Sequence, residues 1–164
     1  MIVRRMLAAD IGRVIEIADG LPQAPRWSRD IYEAALNPES APFRIALVAQ
    51  DFGARVVGFL ITSVVAPEAE LETIGVATDC QRLGAARTLI REARGLLAGR
   101  GVTRVTLEVR ESNAAAQQLY RSCGFVPIAR RGSYYVDPKE DAVVMALQVG
   151  PPTSSTGAFC ELST

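Results

Sequence analysis

Leu71-Glu72-Thr73-Ile74-Gly75-Val76, then Gln81-Arg82-Leu83-Gly84-Ala85-Ala86-Arg87, then Leu89, Ile90, Ala93 and Leu97: the fold turns on this run. The first six residues read as a strand. The last four, with Ala86, stack on one face of an amphipathic helix that Gly99 and Gly101 stop. Gly95 falls inside that helix, where it should cost about 1 kcal/mol against Ala, and no sequence-level reason accounts for it. Between strand and helix, small residues let the backbone approach a ligand closely. The free N–H groups of a helix N-terminus suit an anion such as a pyrophosphate. The turn is neither a Walker loop nor a GxGxxG fingerprint. Taken alone, a turn with one glycine is more often a plain connector.

Downstream, Arg104–Arg110 alternates cleanly, with Val105, Leu107 and Val109 to one side and Thr106, Glu108 and Arg110 to the other. Ser112 or Asn113 caps a short helix with Ala116, Leu119, Tyr120 and Cys123 on one face, closed by Gly124. Val126–Arg130 and Ala142–Val149 read as strands. Upstream, Asp10 is expected to cap a helix burying Ile11, Val14, Ile15 and Ala18. Ser28 is expected to cap a second helix that Asn37-Pro38 ends. Arg44–Ala49 and Val56–Val65 are strands around an Asp51-Phe52-Gly53 hairpin loop. Strands interleaved with helices give an α/β or α+β domain, with helices on the faces of the sheet. The domain is expected over residues 1–149, with 150–164, rich in Pro, Ser and Thr, as a tail.

At 164 residues, 49% apolar and 22% charged, the chain has the size and composition of one globular domain. Eighteen basic residues balance eighteen acidic ones, so no electrostatic footprint for nucleic acid or an acidic membrane is expected. No apolar run approaches the ~20 residues of a membrane helix. Without histidine, Ser/His/Asp and Cys/His relays and histidine-ligated metal sites are excluded. Cys80, Cys123 and Cys160 are odd in number and widely spaced. They read as reduced thiols, and a cytoplasmic protein without a metal is the expectation.

Gln81-x-x-Gly84-x-Ala86, after a strand and before an amphipathic helix, resembles the acetyl-CoA pyrophosphate motif of the GNAT superfamily of N-acetyltransferases. Asn113-Ala114-Ala115-Ala116, then Leu119-Tyr120 and Gly124-Phe125, matches that superfamily's second hallmark. Leu107 to Ala116, Arg130-Arg131-Gly132-Ser133-Tyr134-Tyr135 and Glu140 to Leu147 look like the bacterial branch that acetylates the N-terminal alanine of a ribosomal protein, the RimI-like enzymes. Pro25-Arg26-Trp27-Ser28 resembles that branch's substrate-side loop. The likeness covers about residues 1–149. Ala85 departs from the branch's larger aliphatic residue and Ala86 from a glycine, but neither removes a backbone N–H.

The resemblance implies an acyl-CoA N-acyltransferase fold, a mixed, mostly antiparallel sheet. It implies acetyl-CoA as donor and the α-amine of a protein N-terminus, most simply a ribosomal protein's alanine, as acceptor. Gln81, Arg82, Leu83, Gly84, Ala85, Ala86 and Arg87 are implied to hold the pyrophosphate. The backbone of Ile74, Gly75 and Val76, with Asn113, is implied to hold the pantetheine arm. Glu108 matches the base and Tyr120 the acid. Glu72 is the rival base, since other branches keep one on that strand. Trp27, Tyr134 and Tyr135 match the walls around the incoming peptide. From pattern alone Glu108 is a solvated strand carboxylate, Tyr120 a core tyrosine, Asn113 a helix cap, and the aromatic residues packing groups. An α-amine near pKa 7.8 is roughly a quarter or more neutral at pH 7.4, and a lysine near 10.4 only about a thousandth. An N-terminus therefore asks less of a modest base. The competing readings are an enzyme for a polyamine, aminoglycoside or lysine, and a silent acyl-CoA-binding module.

Overall fold

The computed structural model describes residues 1–39 and 43–150; most of the 150–164 tail, with Cys160, lies outside the described residues. Seven strands form one sheet: β1 (Ile2–Arg5), β2 (Arg44–Gln50), β3 (Val56–Val65), β4 (Glu68–Val76), β5 (Arg104–Arg110), β6 (Val126–Val136) and β7 (Lys139–Gln148). Their spatial order is β1-β2-β3-β4-β5-β7-β6. Every pairing is antiparallel except β4 with β5. The helices are α1 (Ile11–Asp19), α2 (Arg29–Leu36), α3 (Ala85–Ala98) and α4 (Ala114–Ser122).

Two adjacent residues of β3 show that helices cover both faces. Phe59 meets the edge of Tyr32 of α2, ring centroids 6.3 Å apart. Gly58 lies on the opposite face, where a Cβ would come within 3.4 Å of Leu89 Cδ1 of α3. Successive strand residues point to opposite sides, so α2 and α3 sandwich the sheet. The continuous apolar runs of β2 and β3 follow from this, since both faces are covered. In β5, Val105, Leu107 and Val109 are buried and the residues between them are not, as their alternation predicts.

Several local expectations are corrected. Asp10 is no N-cap: its backbone is helical, and its carboxylate reaches back to the Leu7 N–H at 2.8 Å and to both Arg4 guanidinium nitrogens at 2.7 and 2.8 Å. That pair pins the short strand β1, which its four residues were too few to reveal by periodicity. Ile17, not Ile15, completes the buried face of α1, and Ala85 is buried where Ala86 is half-buried in α3. Ser28 takes the N-cap position of α2 without a side-chain bond. β6 runs six residues beyond Arg130, because Gly132-Ser133 makes a bulge and not a break. The β7 strand begins at Lys139 and not Ala142. Cys80 and Cys123 are unpaired. Among the described residues no helix is long and apolar enough to cross a membrane.

Gly95 has open space around its Cβ position. Gly95→Ala should therefore stabilise the chain by about 0.5–1 kcal/mol in chemical denaturation. Gly75 is the opposite case. A Cβ there would lie 2.6 Å from Phe59 Cε1 and 2.9 Å from Leu21 Cδ1, so Gly75→Ala should destabilise by about 1–3 kcal/mol. Arg4 holds the Asp10 carboxyl below its usual range, chiefly by hydrogen bonding. A depressed folded-state value means the stabilisation is present above the unfolded carboxyl value and is lost as pH falls through the folded one. Asp10→Asn should cost about 1–2 kcal/mol at pH 7, and the gap to the parent should close toward pH 3.

Candidate active site

The site begins where the sheet divides. β4 and β5 pair at three positions, Glu68 with Arg104, Ala69 with Val105 and Glu70 with Thr106. Directly beyond, β4 bulges: Thr73 faces Ile61 and Leu71 faces Thr62, leaving Glu72 as the extra residue against β3. A bulge bends its strand and sharpens the twist. From there β4 follows β3 as far as Val76, and β5 follows β7 as far as Arg110. The facing edges of Leu71–Val76 and Leu107–Arg110 carry backbone groups that no ladder between them satisfies. Ile74, Gly75 and Val76 lie on that open edge.

The loop at the head of α3 continues from it. Gln81 Nε2 donates to the Val76 carbonyl at 3.3 Å, tying the loop to the strand end. Arg82 and Gly84 both take positive φ, +63° and +89°. Gly84 is the N-cap of α3, with nothing within 4 Å of its Cβ position, and Leu83 beside it is 70% exposed. The first-turn N–H groups of Ala85, Ala86 and Arg87 have no intrahelical acceptors. Left-handed turns alternating with a helix start aim several amides at one point and form an anion cradle. An open backbone edge leading to such a cradle fits an extended thiol arm ending in a diphosphate. Thus the residues present fit coenzyme A.

Across the fork stands Glu108, its side chain 17% exposed. Arg131 Nε meets one carboxylate oxygen at 2.9 Å, and the Tyr134 hydroxyl donates to the other at 3.2 Å. Burial first, then Glu108, raises the Tyr134 hydroxyl above its usual value, keeping it a donor. Tyr134 meets Tyr135 edge-on at 5.1 Å, and the Arg110 guanidinium lies over the Tyr135 ring at 4.1 Å. Arg110 also donates to the Asp137 and Pro138 carbonyls and pairs with Glu140, fastening the β6–β7 turn to the end of β5. Glu72 is held by both prongs of Arg44, each at 3.0 Å. Burial and the charges of Glu108 and Glu72 push the Glu70 carboxyl up. Sequence reading missed Glu70, Arg44 and Arg131. Glu70 and Arg44 follow no motif, and Arg131 stood in a quoted motif without a role.

Tyr120 is buried on α4, edge-on to Phe125 at 5.8 Å, and its hydroxyl has no hydrogen-bond partner among the described residues. Burial, with Tyr135 nearby, raises it far above an ordinary phenol. It stays protonated, and full proton loss is costly. Its chemistry is thus better suited to donating a hydrogen bond to a developing anion than to giving up the proton outright. Asn113 caps α4, its Oδ1 accepting from the Ala116 N–H at 3.1 Å, which leaves the amide nitrogen to donate. Trp27 stacks at a tilt on Tyr32, centroids 5.4 Å apart, and so joins the packing on Phe59. Tyr134 and Tyr135, beyond the strand expected to end at Arg130, lie within β6. Among the described residues no cluster of acidic or cysteine side chains is arranged to hold a metal ion.

Residues 13–125 match the acetyltransferase (GNAT) family model. The [ribosomal protein bS18]-alanine N-acetyltransferase of Escherichia coli K12 is 45% identical over 97 residues, 58% of this chain and 66% of that one. The chain thus aligns with just under two thirds of that relative's length. The enzyme of the same name from Haemophilus ducreyi is 33% identical over 149 residues, 88% of this chain and 98% of that one. Among solved structures, the ribosomal-protein-S18-alanine N-acetyltransferase of E. coli superposes with TM-score 0.80 at 32% identity, covering 95% of this chain and 98% of that chain. Ard1 from Thermoplasma volcanium superposes with TM-score 0.77 at 26% identity, covering 91% and 97%. With its divided sheet, its cradle at the head of α3 and a family match over more than half its length, the chain belongs to the acetyltransferase (GNAT) family.

Proposed function

We propose that the chain transfers an acetyl group from acetyl-CoA to the N-terminal α-amine of a protein, most simply the alanine of a ribosomal protein such as bS18. The observation that carries this reading is the fork between β4 and β5, with Glu108 on one lip and an open backbone edge on the other. The full-length likeness to the H. ducreyi enzyme supports the substrate.

What acetyl-CoA supplies when bound is a thioester carbonyl open to direct attack, so the chain needs no nucleophile of its own. Backbone groups of Ile74–Val76 orient the arm, and the amides of Arg82–Arg87 hold its diphosphate. Glu108 receives the amine's proton, directly or through one water. Arg131 and Tyr134 hold the Glu108 carboxylate in place for that transfer. An α-amine, roughly a quarter neutral near pH 7.4, asks less of that carboxylate than a lysine, about a thousandth neutral. Tyr120 donates a hydrogen bond to the sulfur as the N–C bond forms and the C–S bond breaks, and solvent then supplies the departing thiolate's proton. Glu72, with both oxygens gripped by Arg44 where Arg131 meets only one of Glu108, is the weaker candidate for the base.

Calorimetry should show acetyl-CoA binding to the folded chain. Peptides with a free N-terminal alanine should turn over, while N-blocked peptides carrying lysine, spermidine and aminoglycosides should not. Turnover confined to the small amines would overturn the substrate. Glu108→Gln should lower kcat/KM by roughly 10²–10⁴-fold and Glu72→Gln by far less. Binding without turnover, unaffected by Glu108→Gln or Tyr120→Phe, would instead mark a silent acyl-CoA module.

A further inference from the structure

The pleat of β6 raises a geometric problem whose solution points to a role for Arg131. In a regular strand, residues three apart face opposite sides of the sheet. Arg131 and Tyr134 are three apart, yet both reach the same carboxylate. Arg131 Nε lies 2.9 Å from Glu108 Oε1, and the Tyr134 hydroxyl lies 3.2 Å from Oε2. What brings them together is the irregularity between them. The β6–β7 register slips between Arg131 and Tyr135, and Ser133 takes φ +51°, a left-handed conformation unusual for a residue other than glycine. The Ser133 N–H donates to Asp141 Oδ1 of β7 at 2.8 Å, which fixes the slipped segment. Backbone irregularity that is held in place beside reacting groups commonly serves to re-aim a side chain.

The charges around the fork say why a cation is needed there. Glu70 forms the last β4–β5 pair with Thr106, and Glu108 follows two residues along β5 on the same face. Two carboxylates are thus drawn together at the apex of the fork, with Glu72 beside them. Arg44 neutralises Glu72. Glu70 forms no ion pair among the described residues, so its charge bears on Glu108, and Arg131 is the cation whose field reaches it. Without an opposing cation, repulsion would push Glu108 away from Glu70, with the Tyr134 hydroxyl left alone to hold it. Arg131 faces both carboxylates, and its guanidinium also lies 6.0 Å from the Tyr134 ring centroid.

We infer that Arg131 is a positioning residue for the acetyl-transfer reaction: delivered by the Gly132-Ser133 bulge, it clamps Glu108 together with Tyr134 in the orientation from which Glu108 takes the substrate's proton. The inference rests on the proposed function and on Glu108 as base. Arg131 touches neither substrate nor cofactor in this role; it acts through Glu108. Its own side chain is 58% exposed, so the pair contributes little to stability. Its effect belongs in the rate.

A double-mutant cycle on the full chain, with N-terminal-alanine peptide and acetyl-CoA, tests this. Arg131→Ala should lower kcat about tenfold or more, with the KM for acetyl-CoA moving less than about twofold, because a misplaced catalytic group costs turnover and not cofactor binding. Arg131→Lys, which keeps the charge, should recover most of the loss. In the Glu108→Gln background Arg131→Ala should have no further effect, since a residue acting through another loses its influence when that other is gone. Thermal unfolding should be nearly unchanged throughout. An equal loss in both backgrounds, or no loss in the parent, would overturn the role. If Glu108→Gln itself leaves turnover intact, the base assignment fails first, and the two failures are told apart by that single variant. Should Arg131→Ala fold poorly, Arg131→Gln carries the same cycle.

Discussion

A single surplus residue in β4 governs the site. Glu72 has no opposite number on β3, so the strand bends just where it would have gone on pairing with β5. Three residue pairs are all that join the two. Had the ladder continued, the backbone groups of Ile74–Val76 would be consumed in sheet bonds, and no edge would face a ligand. The same bend lets α3 begin at the end of the opening, with its unsatisfied amides turned toward it. Gly75 is tied to this geometry through packing: its missing Cβ makes room for Phe59 and Leu21, so β4 lies tight against the α1–α2 side as it diverges.

Around the opening, three carboxylates are each met by an arginine. Arg44 answers Glu72, Arg131 answers Glu108, and Arg110 answers Glu140. Each pair joins strands distant in sequence, and each is partly shielded. The arrangement fixes the orientation of each carboxylate. It is consistent with an acceptor amine that is neutral in an appreciable fraction, for which placement matters most.

Much of this was legible in the chain itself. The alternation of Arg104–Arg110 put Glu108 on the polar side of β5, and helical spacing found the buried face of α3 with only Ala85 and Ala86 exchanged. The Gln81–Ala86 motif carried the family. Periodicity failed where the structure departs from it. β1 has four residues, too few to show a period. Gly132-Ser133 looks like a terminator, and only the partner strand shows that β6 runs on through it. Asp10 resembles a cap by position, but its carboxylate finds Arg4, a contact no local rule anticipates. Glu70 and Arg131 were passed over for a related reason: their importance comes from which strands become neighbours, and the bulges that set those neighbours leave no mark in composition.

The division of the sheet has a further reach. Four strands lie on one side of the opening and three on the other, and their shared ladder is three residue pairs long, extended by the bonds of the Thr103 and Arg104 N–H groups to the Pro67 carbonyl. A molecule lodged in the opening supplies the bonds that the seam lacks and ties one half to the other. By linkage, whatever binds there raises the stability of the whole chain as RT ln(1 + [L]/Kd). Occupancy and stability are thereby linked: a ligand spanning the opening adds its bonds to those of the one apolar core that already runs beneath both halves.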